Sequence, residues 1–424
     1  MLPIGFIAAP LLVVIVIATA LFGADSPVPS LVFAGIILAI GAGAMRSRAI
    51  GRLRTPIWVA LWGIGVVAIG QAAGPAPGAA VSDLMVLMAA GAIYLGMASL
   101  TSRSSAGEKL CWLINCALLV IGIVAFVDFV TSPDELYGTA KTYHENRLTA
   151  AFLSANTAAL MFGMASIFSL GQVLRLASAA TDTGGLIDRF ARGGMVPILV
   201  LIFSLTCLCL TASRGGIGLT VLIGSGYGWL ISRNAVSDIG WKTMTAGAVA
   251  IGLLIVIVSG SALQDRLNEL GTDDTGRATM WMTAFRAWQE APFFGHGFGQ
   301  FDTAIAPFIT KETAPVLSVQ GAAHNLILQW LVQTGIVGLL GGTAIVGAAL
   351  MPIVKGVRKR RRGKRLMTSI LAIAALVCLH GMIDYGLEIP AIVWWFAVYL
   401  GLGAGTAIAD RPRSSKKRRR RKTA

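Results

Sequence analysis

The chain is expected to be an all-α polytopic membrane protein, and three observations carry that reading. Of its 424 residues, 55% are hydrophobic and only 13% charged, against about 25% charged in a soluble domain. Continuous apolar runs of about 18–25 residues recur, long enough to cross a hydrocarbon core of about 30 Å. These runs do not alternate apolar and polar residues as the strands of an outer-membrane barrel do. The mean hydropathy of +0.74 points the same way.

About twelve membrane helices are expected from these runs, at 3–23, 30–45, 56–72, 81–99, 110–130, 150–172, 194–212, 214–232, 243–260, 323–354, 366–384 and 388–408. The first run lacks the basic flank of a signal peptide, since Arg46 is the first Lys or Arg in the sequence. It is also longer than a typical h-region, and reads as a retained helix. The 323–354 run is long enough to tilt or to leave the bilayer. Cys111, Cys116, Cys207, Cys209 and Cys378 all lie in apolar runs, where they read as small buried hydrophobes and not as disulfide or metal ligands.

The net charge of +15 is concentrated in short connectors and in the tail. Alternate connectors are basic: Arg46 to Arg54, Arg103 and Lys109, Arg175 to Arg192, Arg233 and Lys242, Lys355 to Arg365, and the tail from Arg411. The intervening connectors, 24–29, 73–80, 131–149 and 261–322, are acidic or neutral. The bias places the basic set and both termini in the cytoplasm. The basic runs read as anchors beside anionic lipid, so membrane lipids are expected partners and nucleic acid is not. The chain divides into N-terminal transmembrane helices (1–200), a core containing the large outer segment 261–322 (201–345), C-terminal transmembrane helices (346–410) and a basic tail (411–424).

Within 261–322, residues 277–290 read as a helix ended by Pro292. Asp273, Asp274 and Thr275 offer capping oxygens before it, and Met280, Trp281, Ala284, Phe285 and Trp288 fall on one face. That face would lie on the outer leaflet with its tryptophans at headgroup depth. Arg277 would then stand on the first turn, where a cation is unfavourable unless an anion comes between. It reads equally well as an interfacial arginine paired with Asp273, Asp274 or lipid phosphate. The Gly295-His296-Gly297-Phe298-Gly299 stretch is no dinucleotide loop, because no strand precedes it. His296 reads as a loop residue.

Arg214, in Thr211-Ala212-Ser213-Arg214-Gly215-Gly216, stands at the lip of an apolar run. An arginine in a span costs about 2.5–3.5 kcal/mol and needs a role or an escape to the interface. A snorkelling anchor at this end runs against the charge bias, and the small neighbours would let a ligand approach. His324, before Asn325 at the start of another run, can take and return a proton near neutrality; it reads equally as a hydrogen-bonded helix-start residue. His380 and Asp384 are spaced to share a helix face. No spacing offers a clear metal site, and no cofactor is expected.

Taken in order, Ser213-Arg214-Gly215-Gly216, Gly276-Arg277 with Trp281 and Pro292, and His324-Asn325 with Gly335 and Gly338 resemble the O-antigen ligase and O-antigen polymerase superfamily. Arg147 and Asn156 look like an upstream element of that family. His380 to Tyr385 followed by Pro390 looks like a downstream His-Ser-x-x-Asp-Phe element, with Gly381 and Tyr385 in place of its Ser and Phe. The resemblance implies a GT-C-like fold and a metal-independent inverting glycosyltransferase at the periplasmic face of the bacterial inner membrane. Its donor would be a glycan on undecaprenyl diphosphate. Arg214 and Arg277 would clamp the diphosphate, and His324 would be the base on the acceptor hydroxyl. Arg147, Asn156, Asn325, His380 and Asp384 are further substrate-binding candidates. The His380/Asp384 element and the modest outer segment favour a polymerase of exopolysaccharide or O-antigen over a ligase to lipid A-core or a protein glycosyltransferase. A lipid-linked sugar transporter, the alternative of another class, would place ionisable residues at mid-bilayer depth, where this sequence has almost none.

Overall fold

In the computed structural model the residues described are 5–45, 47–72, 80–103, 106–141, 143–177, 194–232, 272–317 and 321–409. The expected span at 243–260, the tail from 411 and the Arg189, Arg192, Arg233 and Lys242 connectors lie outside them.

Eleven of the expected helical runs fall among the described residues, and each is a helix. They are α1 (Gly5–Ala20), α2 (Pro27–Ala44), α4 (Arg54–Ala72), α5 (Val81–Thr101), α6 (Ala106–Thr131), α7 (Ala155–Ala177), α8 (Met195–Leu210), α9 (Arg214–Ser232), α13 (Leu326–Lys359), α14 (Lys364–Gly381) and α15 (Pro390–Ile408). Between them stand the short α3 (Ser47–Arg52), α10 (Thr272–Glu290), α11 (Phe301–Ile305) and α12 (Ala314–Leu317). Sheet among the described residues is confined to one antiparallel ribbon, β1 (Glu135–Leu136) with β2 (Thr139–Ala140). Among the described residues eight helices, α2, α4, α5, α6, α7, α13, α14 and α15, are long and apolar enough to cross a membrane. The protein is therefore an all-α polytopic membrane protein.

The centre of the bundle is built on α7 and α15, the two spans most enclosed by their neighbours. Trp394, Trp395 and Tyr399 of α15 and Phe162 and Phe168 of α7 are fully buried. The indole N–H of Trp395 donates to Thr19 Oγ1 at 3.0 Å, so the ring is buried without an orphaned donor. Helix α15 meets α5 through Gly401 and Gly405, where an added Cβ would come within 2.6 Å of the carbonyl oxygens of Tyr94 and Ala98 respectively. Small residues four apart let two backbones approach closely in lipid, where dispersion and not water release drives association. The outer faces of the peripheral helices carry Val13, Val32, Trp58, Trp62, Ile69 and Val120, all exposed to what would be lipid.

Two elements differ from expectation. Helix α7 begins at Ala155, not at 150, because Ala150–Phe152 form a 3-10 turn and Leu153 is left-handed (φ 55°). Helix α10 begins at Thr272, so Arg277 lies in its second turn and the helix-end dipole does not reach it in the way expected. Most of the α10 stripe packs against the protein: Met280, Ala284 and Ala287 are buried against Phe301, Ile305, Ala323 and Val332, with Trp281 and Trp288 packed at the edge, while Phe285 stays exposed.

Candidate functional site

Helix α13 is broken at Gly335 (φ 62°, ψ −171°), and the break fixes the geometry of the site. A kink in a span leaves backbone groups that lipid cannot satisfy. Here the 292–297 turn supplies the partners: Ile336 N donates to Pro292 O (2.9 Å) and Val337 N to Phe293 O (3.1 Å). In return His296 N and Gly297 N donate to Val332 O and Gln333 O, each at 2.9 Å. Both sides need glycine. A Cβ on Gly335 would stand 2.2 Å from Phe293 O, and one on Gly295 (φ 71°) 2.4 Å from the Gln333 carbonyl carbon. His296 belongs to this joint, with its Nε2 2.7 Å from Ala287 O. The segment carrying Arg277 is thereby spliced to the helix that His324 precedes.

Beside the splice, a cavity of about 1140 Å³ is lined by Arg147, Asn156, Arg214, Arg277, His324, His380 and Asp384. These residues come from five separate parts of the sequence. Asn325 does not line it. Its side-chain oxygen accepts from Ile327 N and Leu328 N as the N-cap of α13, and its amide donates to Met382 O at 3.0 Å. It ties the start of α13 to the end of α14.

Arg214 is the first residue of α9, after a bend at left-handed Ala212 (φ 47°). Ser213 caps that helix by accepting from Gly216 N (3.3 Å) and donates to Asn156 Oδ1 (2.8 Å). Arg147, buried, holds the bend by donating from Nε to Thr211 O at 2.8 Å. Gly215 and Gly216 serve packing more than ligand approach: a Cβ there would come within 2.5 Å of Ile383 and 2.4 Å of Ala159.

His324 is itself left-handed (φ 49°), a conformation costing about 1–2 kcal/mol in a non-glycine residue. The bend presents its ring edge-on to Tyr385, with centroids 4.8 Å apart. Its Nδ1 lies 3.3 Å from Asp384 Oδ1. A proton on Nδ1 would satisfy that contact. His324 keeps 21% of its side chain exposed, whereas Asp384 keeps 1%. The second Asp384 oxygen is 4.0 Å from Nδ1 of buried His380. That oxygen and that nitrogen have no hydrogen-bond partner among the described residues. His380 and Asp384 do meet, although α14 ends at Gly381 between them.

The cavity also has an acidic and amide wall that the sequence reading missed. Glu388 accepts from Gln329 Nε2 and Gln333 Nε2, each at 3.3 Å. Gln329 in turn accepts from Ala323 N at 2.7 Å, next to His324. Asp25 and Asp83 line the same side. Burial, reinforced by the negative field of Asp83, pushes the Glu388 carboxyl up to about 7, despite the two amide donors. Burial likewise raises Asp25. Two glutamines one turn apart in an apolar helix were the available signal. The cavity thus presents guanidinium groups, carboxyls, amides and imidazole together.

The model of a family described as O-antigen ligase matches residues 199–341, about a third of the chain. The matched stretch includes Arg214, Arg277 and His324. No curated protein matches the chain.

Proposed function

We propose that this chain, whose residues 199–341 match the model of a family described as O-antigen ligase, transfers a glycan from undecaprenyl diphosphate to an acceptor sugar hydroxyl at the periplasmic face. The observation that carries this reading is the convergence of two arginines and a carboxylate-held histidine on one cavity. Guanidinium forks bind phosphate oxygens bidentately and stay charged at any working pH. Arg214 and Arg277 would hold the diphosphate and gain strength as negative charge accumulates on it.

In the proposed step His324 Nε2 accepts the acceptor's hydroxyl proton. The freed oxygen attacks the anomeric carbon from the face opposite the leaving group. The anomeric carbon–oxygen bond breaks, and its electron pair leaves on undecaprenyl diphosphate. Asp384 holds the imidazole in place through Nδ1 and stabilises the cation that forms. One base suffices for this inversion, unlike the carboxylate pair of a glycoside hydrolase. The arginine clamp supplies the charge stabilisation that a metal ion gives in other diphosphate-sugar chemistry, so the reaction should run without one.

Within this chemistry we favour a polymerase, supported by the His380/Asp384 element beside the base. The family description is compatible with a second reading, a ligase to lipid A-core. Purified protein is incubated with an undecaprenyl-diphosphate oligosaccharide, alone and with lipid A-core, with EDTA throughout. Ladders from donor alone are expected of the polymerase. Product only with lipid A-core makes it a ligase, and dependence on added divalent cation overturns metal independence. No product in either arm, with a competent donor, overturns both readings.

A further inference from the structure

At the other end of the bundle lies a second cavity of about 1860 Å³, between α6, α7, α9 and α14. Eight of its lining side chains are Lys or Arg, against a single carboxylate, Glu108. That carboxylate is committed to Arg175 at 3.1 Å. Arg361, Arg362 and Lys364 stand exposed at the rim. Charge bias alone explains basic residues at this membrane face, but it does not require a cavity beneath them.

The lining is not uniformly cationic: Ile223, Leu230, Leu371 and Ala372 contribute apolar side chains to it. Among them Gln172, 2% exposed, accepts from Arg175 Nε at 3.3 Å. The Gln172 amide nitrogen has no partner among the described residues. A buried donor without an acceptor costs about 1–3 kcal/mol, and it faces a chamber whose rim is cationic. The ligand that fits is an amphiphile with an anionic phosphate and a hydrocarbon chain. A free phosphate would satisfy the rim and leave the apolar wall uncovered.

We propose that this cavity is a binding site for an acidic glycerophospholipid. Its phosphate lies under the rim formed by Arg361, Arg362 and Lys364, within reach of the Gln172 amide, and one acyl chain runs along the Ile223 and Leu371 wall. The lipid fills the space between the ends of the four helices and adds to the Glu108–Arg175 and Tyr227–Arg365 contacts that already join them. The site is independent of the glycan chemistry at the far end.

The test uses the full-length protein, reconstituted in phosphatidylcholine bilayers with or without phosphatidylglycerol and released into the mass spectrometer. Retention of one phosphatidylglycerol per chain, with no retained phosphatidylcholine, is expected. Millimolar inorganic phosphate is expected not to displace it. The R361Q/R362Q/K364Q variant should lose retention at least about tenfold, as three exposed cations near an anionic surface contribute about 1 kcal/mol each. Gln172→Leu, which leaves every charge in place, should lose it partially and serves as the independent variant if the triple change does not fold. Equal retention of phosphatidylcholine overturns the proposal. Displacement by inorganic phosphate makes the ligand a soluble phosphate and overturns the lipid assignment. Wild-type retention in a folded triple variant, or in Gln172→Leu, also overturns it.

Discussion

Asp384 is a buried carboxylate shared between two histidines, 3.3 Å from one and 4.0 Å from the other. All three line the cavity, but His324 keeps 21% of its side chain exposed against 1% for Asp384, so under the proposed mechanism His324 would act on substrate and Asp384 would position it. His324→Ala is expected to lose most activity; retained activity with an unchanged pH profile would remove it as the base. Asp384→Asn should lower kcat about tenfold or more, a smaller loss than the roughly 10²–10⁴-fold contribution of a general base itself. Because Asp384 acts through His324, KM for the donor should stay unchanged, and a rise in KM with constant kcat would reassign it to binding. Arg214→Ala and Arg277→Ala should each lower transfer by about a hundredfold or more, as loss of a single oxyanion donor does, with membrane insertion intact. Lysine at either position should also fall far short, since a point charge does not reproduce the fork. Normal transfer by both alanine variants would dispose of the clamp.

At the scale of elements, the α13 break is where backbone chemistry is most exacting. Gly335→Ala places a side chain at φ 62° and against Phe293 O. The left-handed conformation alone costs about 1–2 kcal/mol, and the clash adds to it. Faster proteolysis within 272–317, with the remaining helices still protected, is expected in detergent; an unchanged digestion pattern would show that the joint tolerates a methyl group. The helices were legible because each is one apolar run of bilayer length. Arg214, Arg277, His324, His380 and Asp384 stood out because charge is costly at those places and their order resembles a family, and the fold brings them to one cavity. Asn325 stood out by its place in that order, and it caps α13. The acidic wall was not legible: Asp25, Asp83 and Glu388 sit far apart in sequence, each near a helix end where a carboxylate is ordinary. The α10 stripe had the right period but the wrong neighbour, because periodicity names a buried face without naming what buries it.

For the molecule as a whole, the pH dependence of stability and the sidedness of the bundle can be tested. Glu388 titrates at about 7 in the fold against 4.5 when free, so the folded state binds its proton more tightly than the unfolded chain. That contribution is full below about pH 4.5 and is lost as pH rises through about 7. Tm in detergent should fall over this window, and Glu388→Gln should flatten the fall; a parallel curve would mean that another group governs it. Cysteine placed at Gly138 in a background without the five native cysteines should react with an impermeant thiol reagent in intact spheroplasts. Cysteine at Arg361 should react only after permeabilisation, and the reverse pattern would invert the topology.

The four hydrogen bonds that graft the 292–297 turn into α13 also bear on traffic. A roof sewn into a supporting wall does not swing like a hinged door. The segment that carries Arg277 is fixed to α13 in this way, and we expect a lipid-linked donor to enter from the side. A carrier confined to the plane of the bilayer already travels in that direction.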